Sequence, residues 1–564
     1  MKFAIIYIKG GITVEKLSFH DKYSVFPNKQ HFLQQHSANP FAEEEELLAS
    51  MIDKFVEEQV TPNLDKLEAH DYDVARELFR ATGELGLLGA EVPEAYGGLE
   101  MGKRTAGIIA EKLGYGGSFS VSFNIHTGVG TLPFVYFGTE KQKARYLPKL
   151  VSGEWIGAYA LTEPDAGSDA LSPKTIAKKT ESGWVLNGEK QWITNAHIAQ
   201  VYVVFANTIE GITAFIVERD QPGVSIGPEE KKLGIKGSST ATLILEDVPL
   251  VNDAILGEVG KGHKIALNIL NLARLKLAFA NIGTSKQALR IAVEYGKERK
   301  QFKQAIIHFE MVQEKLANMA LEIYGAESAA YYTASMLDEL DQDTEEILER
   351  LSDYAMACSI NKVKASEALD YVIDEAVQIH GGYGYMQEYE VERIYRDARI
   401  NRIFEGTNEI NRLTTAKAFL KQYTKDSSVV PPAENEENMF IRYANQLLRY
   451  VLNALSEMGN LQQMNQFYLH RIALILEDIY LMKAAEIKAA SEKNSLAAQL
   501  TDVLCEETFR RIENHTTMFL ASIPAKSEQY EEQISDIRSL PVTYSNVFAK
   551  KQAIAKEIID HNGY

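Results

Sequence analysis

The sequence predicts a mainly α-helical protein with a middle β domain, an α+β fold made of several domains. At 564 residues the chain is longer than one ordinary domain. Apolar residues recur at helical spacing near the N-terminus, as in Leu47, Leu48, Met51 and Ile52, and again through the second half of the chain. Between these regions, strand-forming runs replace the helical pattern. These three observations set the predicted order as helical, β, helical.

The first part of the chain divides into an extension and a helical domain. Residues 1–40 show weak periodicity and are expected to form a loosely ordered N-terminal extension. Residues 41–154 are predicted to form an N-terminal α-helical domain, because helical patterning runs from FAEEEELLASMIDKFVEEQV through VARELFRATGELGLLG to EKQKARYLPKLVSGE. Turns rich in Gly and Pro, such as VPEAYGG, separate these helices.

A middle β domain is predicted over residues 155–255. The runs VYVVFANT, ITAFIVERD and ATLILEDVPL are typical of strands. In WVLNGEKQWIT the pair Asn187-Gly188 stands between two strand-forming runs, which predicts a β-hairpin turn at that pair.

Helical periodicity returns in long segments over residues 256–424, and a four-helix bundle is the natural packing for them. Residues 425–438 carry Ser, paired Pro and acids and are predicted to be a linker. Residues 439–564 are predicted to form an appended helical domain.

Composition excludes several classes of protein. The formal net charge of -19 disfavours nucleic acid as a partner, and no apolar run approaches the roughly 20 residues that span a bilayer. The two cysteines, Cys358 and Cys505, have no partner at metal-ligand spacing, so neither a disulfide framework nor a metal site is indicated. The short apolar run at the N-terminus does not match a signal peptide, and a cytoplasmic location is expected.

Three stretches carry candidate chemistry. AYALTEPDAGSDA leaves a strand-like run for a turn that presents hydroxyls and free N–H groups, although by itself it is also typical of an ordinary loop. QWITNA places Trp192 and Thr194 two residues apart at a strand end. In QIHGGYGY, Gly381 and Gly382 permit close backbone approach to a ligand, with a helix C-cap turn as the alternative. No strand precedes these glycines, so they are not a Rossmann fingerprint.

The order of these stretches resembles the acyl-CoA dehydrogenase family. The resemblance covers about residues 45–425 and includes LGLLGAEVPEAYGG, HTGVGTLPFVYFGTEKQKARYLPKLVSGE, LTEPDAGSDA, QWITN, LGIKGSST, GKERKQF and QIHGGYGY. It implies a helical N-terminal domain, a β-barrel-like middle domain and a C-terminal four-helix bundle, with FAD bound between domains and against a neighbouring subunit. The appended helices resemble those of the long-chain and very-long-chain members.

The resemblance also implies roles for individual residues. Tyr159 to Ser168 would line the flavin, and Trp192 would pack on its face. Arg299, Gln301 and Phe302 would hold the pyrophosphate and adenine end. The residues that it places around FAD are Tyr159, Leu161, Thr162, Ser168, Trp192, Thr194, Arg299, Gln301, Phe302, Gln378, Gly381, Gly382, Thr407 and Glu409. The residues that it places on the acyl-CoA side are Ser168, Asn271, Arg274 and Gly406. Glu310 stands where the family commonly has Gln, so this contact with FAD departs from the pattern.

Glu405 in NRIFEGTNEINR is the candidate catalytic base. Its neighbours Ile403 and Phe404 would help to exclude water and raise its pKa, as removal of an α proton from an acyl thioester requires. Some relatives supply the base just before the arginine of NLAR, but that residue is Ala273 here. Thr407 and Asn408 can cap the next helix, and Glu409 complements its dipole.

The leading hypothesis is therefore FAD-dependent dehydrogenation of fatty acyl-CoA, with long chains preferred, to trans-2-enoyl-CoA in β-oxidation. Glu405 would take the α proton and FAD N5 the β hydride. Electron transfer flavoprotein is the expected acceptor, and a homodimer or homotetramer is the expected assembly. The alternatives are an acyl-CoA oxidase on the same fold and a non-enzymatic flavoprotein scaffold. For the appended helices, dimer contact, FAD contact and peripheral membrane contact stay open.

Overall fold

The computed structural model describes residues 26–29, 32–33, 42–340, 350–430, 436–458, 464–523 and 527–564. Most of the predicted N-terminal extension and the centre of the predicted linker, residues 431–435, lie outside the described residues.

The N-terminal region is helical because capped, amphipathic segments share one core. Asp71 accepts hydrogen bonds from the amides of Asp73 and Val74, and Thr139 forms a capping box with Gln142. The inward faces meet in a cluster of aliphatic and aromatic side chains that the middle domain also joins. The helices are α1 (Ala42–Phe55), α2 (Leu64–Glu68), α3 (Tyr72–Glu84), α4 (Lys103–Leu113), α5 (Ser118–Ile125), α6 (Leu132–Phe137) and α7 (Glu140–Val151).

The middle region is a mixed β-sheet. Its strands are β1 (Gly157–Ala160), β2 (Ile176–Thr180), β3 (Gly183–Thr194), β4 (Val201–Thr208), β5 (Gly211–Glu218), β6 (Val224–Ile226), β7 (Thr240–Leu250) and β8 (Ile255–Leu256). The order is β6-β7-β3-β2-β4-β5-β8, and β1 pairs in parallel with β4. Strand β4 is buried along most of its length, which places it at the centre of the fold.

The predicted hairpin at Asn187-Gly188 is wrong. Strand β3 continues through both residues, and its pairing with β7 has a bulge there. The Asn187 side chain exchanges hydrogen bonds with Asp247, at 3.0 Å to its carboxylate and 2.9 Å from its amide. A Cβ at Gly188 would lie 2.4 Å from Oγ1 of Thr175, so the glycine serves close strand packing instead of a turn. The two-residue turn lies between Thr180 and Gly183.

Long helices follow the sheet and form a bundle. They are α8 (Gly262–Glu298), α9 (Glu310–Asp338), α10 (Ala355–His380), α11 (Glu390–Ala398) and α12 (Asn408–Lys425), with a small ribbon of β9 (Lys300–Gln301) and β10 (Gln304–Ala305). Helix α8 packs along α10 and α4. Among the described helices, α8 alone is long and apolar enough to span a bilayer, but 67% of its most apolar window is buried. That burial is expected of the core helix of a bundle.

The appended helices cover the outer faces of α9, α10 and α12. They are α13 (Met439–Met458), α14 (Gln466–Glu492), α15 (Ser495–Ala521), α16 (Ser527–Arg538) and α17 (Val547–Asp560). They share an apolar cluster with the bundle, and buried ion pairs join Arg412 to Glu477 at 3.2 Å and Lys364 to Asp478 at 3.5 Å. Phe26 is fully buried in the same cluster, with its ring 5.9 Å from that of Phe419.

Candidate active site

Glu405 lies in the turn that precedes α12, with its backbone in the left-handed region at φ +55°. For a non-glycine residue this conformation costs about 1–2 kcal/mol. Neighbouring side chains hold the turn through its carbonyl groups. Nε of Arg274 donates to the Glu405 carbonyl at 3.1 Å, and Nδ2 of Asn411 and Nζ of Lys362 each donate to the Gly406 carbonyl at 2.8 Å. These hydrogen bonds fix the backbone of the turn that carries Glu405.

The Glu405 carboxylate lies in buried surroundings near two positive charges. Its Oε2 is buried and has no hydrogen-bond partner among the described residues. Burial raises the pKa of Glu405, and the positive charges of Arg274 and Lys362 oppose that shift. Burial also lowers the pKa of Lys362 to about 7. The Tyr159 hydroxyl is likewise buried and unpartnered among the described residues, and burial together with the Glu405 charge raises the pKa of Tyr159.

Glu405 opens into a mostly apolar cleft. Phe404 lines the cleft beside it, whereas Ile403 is 46% exposed, so Phe404 is the apolar neighbour that shields the carboxylate. Ala273 lines the same cleft. An alanine has no ionisable group, so Ala273 cannot act as a base in this cleft.

Two of the motifs noted in the sequence meet in the middle domain. The Gln191 amide donates to the Thr162 carbonyl at 2.9 Å, and Lys190 forms a buried ion pair with Glu163 at 2.6 Å. A bulge between Lys190 and Ile193 gives Trp192 a φ of +58° and leaves its indole 58% exposed. The ion pair anchors the base of the loop, and the bulge presents a large aromatic surface.

The other predicted residues of this face differ in burial. Leu161 is buried in the core, Thr162 and Thr194 are half-buried, and Ser168 is exposed. Tyr159 packs edge-to-face on Phe205 at 5.0 Å, which leaves its buried hydroxyl near Glu405.

A second, open cleft lies at the C-terminal end of α8. It brings together Arg299 and Gln301 with Gly381 and Gly382, which are far apart in sequence. The Arg299 guanidinium lies 5.3 Å from the ring of Tyr383. A Cβ at Gly381 or Gly382 would meet nothing within 4 Å, so this backbone is open to a ligand.

Two other residues predicted to bind FAD lie close to this cleft in sequence and are exposed. Phe302 is 89% exposed, and its ring contacts that of Phe309 edge-on at 6.1 Å. Gln378 is exposed on the last turn of α10.

The arrangement fits FAD. An unpartnered phenol near Glu405, an exposed indole on a bulge, and a cradle of Arg and Gly supply donors and stacking surfaces for a flavin, a pyrophosphate and an adenine. Of the predicted flavin-binding residues, Arg299, Gln301, Gly381 and Gly382 line the second cleft.

Three predicted residues serve helix starts in the described chain. Oγ1 of Thr407 accepts from the Ile410 amide at 3.3 Å, so Thr407 is the N-cap of α12. Glu409 is exposed in the first turn, and a backbone hydrogen bond lowers its pKa. Glu310 is exposed at the first position of α9, where a carboxylate complements the helix dipole. The fold thus explains these acids without a cofactor.

Asn271 and Arg274, predicted on the acyl-CoA side, are both buried. Nη1 of Arg274 donates to Oδ1 of Asn271 at 3.0 Å, and the same arginine holds the Glu405 carbonyl. Their hydrogen bonds in this structure support the Glu405 turn.

The sequence analysis missed Lys362 and Asn411, and it gave Asn408 only a capping role. All three are buried, and Lys362 also donates to Oδ1 of Asn408 at 2.7 Å. The available signal was a lysine within the apolar face of ACSINKVKASEA, where a charge needs a partner.

The family models for the three domains of acyl-CoA dehydrogenases match this chain in order. The N-terminal domain matches residues 42–154, the middle domain residues 158–248 and the C-terminal domain residues 260–420. The last match ends before the appended helices.

Individual proteins agree with these matches. A probable acyl-CoA dehydrogenase of Bacillus subtilis is 42% identical over 604 aligned residues, covering 100% of this chain and 99% of that protein. The human mitochondrial very long-chain specific acyl-CoA dehydrogenase is 39% identical, covering 65% of this chain and 56% of that protein.

Solved structures share the fold. The crystal structure of an acyl-CoA dehydrogenase complexed with FAD from Bacillus anthracis has a TM-score of 0.88 and 43% identity, covering 93% of this chain and 96% of that chain. Butyryl-CoA dehydrogenase from Megasphaera elsdenii has a TM-score of 0.63 and 35% identity, covering 68% of this chain and 100% of that chain. The protein described here therefore belongs to the acyl-CoA dehydrogenase family of FAD-dependent oxidoreductases.

Proposed function

We propose that this enzyme oxidises long-chain fatty acyl-CoA to trans-2-enoyl-CoA, with Glu405 as the base that removes the α proton. The observation that carries the proposal is a buried, unpartnered carboxylate oxygen at the mouth of an apolar cleft. A carboxylate with a raised pKa and no competing hydrogen bond is suited to accept a proton from carbon.

The turn at Glu405 also offers donors for the thioester oxygen. Among the described residues, the amides of Glu405 and Gly406 donate to no carbonyl or side chain, while their carbonyls are fixed by Arg274, Lys362 and Asn411. Free amides held in a fixed direction stabilise negative charge as it develops on an enolate oxygen. In this proposal one turn supplies both the base and the hydrogen-bond donors for the thioester oxygen.

Residues of the cleft separate the reacting carbons from water. Phe404 and Leu277 line it with apolar surface, and Ala273 leaves space for the chain. When bound, FAD supplies the hydride acceptor that no side chain can provide. Trp192, Thr162 and Thr194 would hold the flavin, with Ser168 beside the thioester. Arg299, Gln301, Phe302, Gln378, Gly381 and Gly382 would hold the rest of the dinucleotide.

The physiological setting is part of the same proposal. We expect electron transfer flavoprotein as the acceptor, a cytoplasmic location and a homo-oligomer in which a neighbouring subunit meets the exposed second cleft. Phe302 and Tyr385 are 89% and 84% exposed in this chain. Exposed aromatic side chains of this kind support a partner or cofactor over that surface.

Anaerobic titration of the purified flavoprotein with acyl-CoAs tests the proposal. We expect long-chain acyl-CoA to bleach the flavin absorbance, with one trans-2-enoyl-CoA formed for each flavin reduced. FAD-loaded protein that bleaches with no acyl-CoA would support the scaffold alternative. Stoichiometric hydrogen peroxide during aerobic turnover would support the oxidase.

A further inference from the structure

The cleft that begins at Glu405 extends along one face of α8. Its lining residues there are Ala273, Leu277, Ala280, Thr284 and Gln287, which recur every three or four positions and so share a face. Ala273 and Gln287 are fourteen residues apart, which corresponds to about 21 Å along a helix.

Two other segments line the cleft in the same direction. One runs from Phe404 and Glu405 back to Glu390 at the start of α11, and the other runs from Ile125 back through α5 to Gly114. Hydrogen bonds set their register with α8.

At the Glu405 end, Lys276 lies 3.3 Å from Oγ1 of Thr127. At the far end, Oγ1 of Thr284 donates to the Gly114 carbonyl at 3.0 Å. The cleft therefore has a defined beginning and a defined end.

Polar side chains close the far end. Nε2 of Gln287 donates to Oε1 of Glu390 at 2.8 Å, and Nη2 of Arg393 donates to the same oxygen at 3.1 Å. Gln287 is 8% exposed, while the Glu390 side chain is 36% exposed, so the three residues stand between the cleft and solvent. Gly117, at φ +55°, makes room for Arg393, since a Cβ there would lie 2.8 Å from Nη1.

We propose that Gln287, Glu390 and Arg393 form the end wall of the acyl pocket and set the upper limit on acyl chain length. This inference rests on the proposed function. With a C–C bond of about 1.5 Å and an angle near 111°, each methylene of an extended chain advances about 1.25 Å, so about 21 Å holds on the order of 16 carbons. An apolar chain that reached further would displace polar groups from their hydrogen bonds without replacing them, which is unfavourable.

The test compares kcat/KM for octanoyl-, dodecanoyl-, hexadecanoyl-, eicosanoyl- and tetracosanoyl-CoA. We expect the native enzyme to lose about tenfold or more between hexadecanoyl- and eicosanoyl-CoA. Gln287→Ala and, separately, Glu390→Ala remove the wall and should each raise the ratio of eicosanoyl to dodecanoyl activity at least about fivefold. Glu388→Ala is the matched control, because Glu388 is exposed just before α11 and does not line the cleft.

Because the ratio of kcat/KM for two substrates does not depend on the amount of active protein, a partly unfolded variant still gives a valid measurement. Glu390→Ala serves if Gln287→Ala does not fold, since Glu390 lies at the surface. An unchanged ratio in a folded Glu390→Ala variant, or a native enzyme equally active on tetracosanoyl-CoA, overturns the end wall while the dehydrogenase assignment stands. A native enzyme that oxidises none of the five overturns the proposed function itself.

Discussion

Helix α8 lines two clefts. They differ in how much of each cleft is held by hydrogen bonds of this chain and how much is left exposed. The cleft around Glu405 has its polar groups fixed by the chain's own side chains, as Arg274, Lys362 and Asn411 show. The second cleft leaves Phe302 and Tyr385 mostly in solvent and offers an open glycine backbone. In the proposed function, the groups that remove the proton are held by the folded chain itself, whereas the binding of the dinucleotide is completed by what docks on the second cleft.

The largest expected effect separates the two clefts. Glu405→Gln keeps the shape of the side chain but removes its basicity, so we expect kcat/KM to fall by about 10²–10⁴. The FAD content of the purified protein should stay the same, because Glu405 does not line the second cleft. Steady-state kinetics and flavin absorbance measure the two quantities, with the exposed Glu388→Gln as control.

Loss of FAD along with activity in Glu405→Gln would show that the two clefts are not independent.

The pH dependence follows from the burial of Glu405. The proposed reaction requires its base form, and burial raises its pKa above the ordinary value of 4.5. Activity should therefore be present at higher pH and fall about tenfold per unit as the pH drops below that raised pKa. A profile of kcat/KM against pH measures this limb, and a midpoint at or below 4.5 would contradict the desolvated site.

Lys362 should act through the position and charge of the turn. Lys362→Met removes one donor from the Gly406 carbonyl, and a loss of about 2 kcal/mol corresponds to about thirtyfold in kcat. It also removes a positive charge that lowers the pKa of Glu405, so the acid limb should move to higher pH. Lys362→Gln, which keeps a donor, should recover part of the rate.

The matched control for Lys362 is Lys364→Met. Lys364 lies on the same helix but pairs with Asp478 of the appended region. If the acid limb of the pH profile moves equally in both variants, Lys362 has only a structural role.

In the second cleft, Arg299→Met should weaken FAD without changing the chemistry. Loss of one exposed charge-assisted contact corresponds to about tenfold in the Kd of FAD. With saturating FAD, kcat should be close to native. Reconstitution of apoprotein followed by fluorescence measures the affinity, with the neighbouring exposed Lys300→Met as control. A lower kcat at saturating FAD would mean that this cleft also orients the flavin for reaction.

The smallest effect is expected at Glu310. This acid is exposed at the start of α9, so solvent screens it, and Glu310→Gln should change the Kd of FAD by less than about threefold. Titration at low and high ionic strength measures the change. A tightening of tenfold or more at low salt would place the carboxylate directly against the cofactor.

The sequence alone determined much of this protein, because local patterns are read within a few residues. Helical periodicity, the capping threonine before α12 and the run of strand-forming segments predicted the mainly α fold with its middle sheet. An acid between apolar residues and a glycine identified Glu405, and the structure buries its carboxylate oxygen as expected.

Tertiary structure decided what depends on distant partners. Asn187-Gly188 has the local chemistry of a turn, but Asp247 and Thr175 across the sheet make it a bulge. Lys362 meets the Gly406 carbonyl from another helix, and Gln287 meets Glu390 across 103 residues. Such contacts are set by how helices and strands pack, and packing energy depends on surfaces that no short stretch of sequence contains.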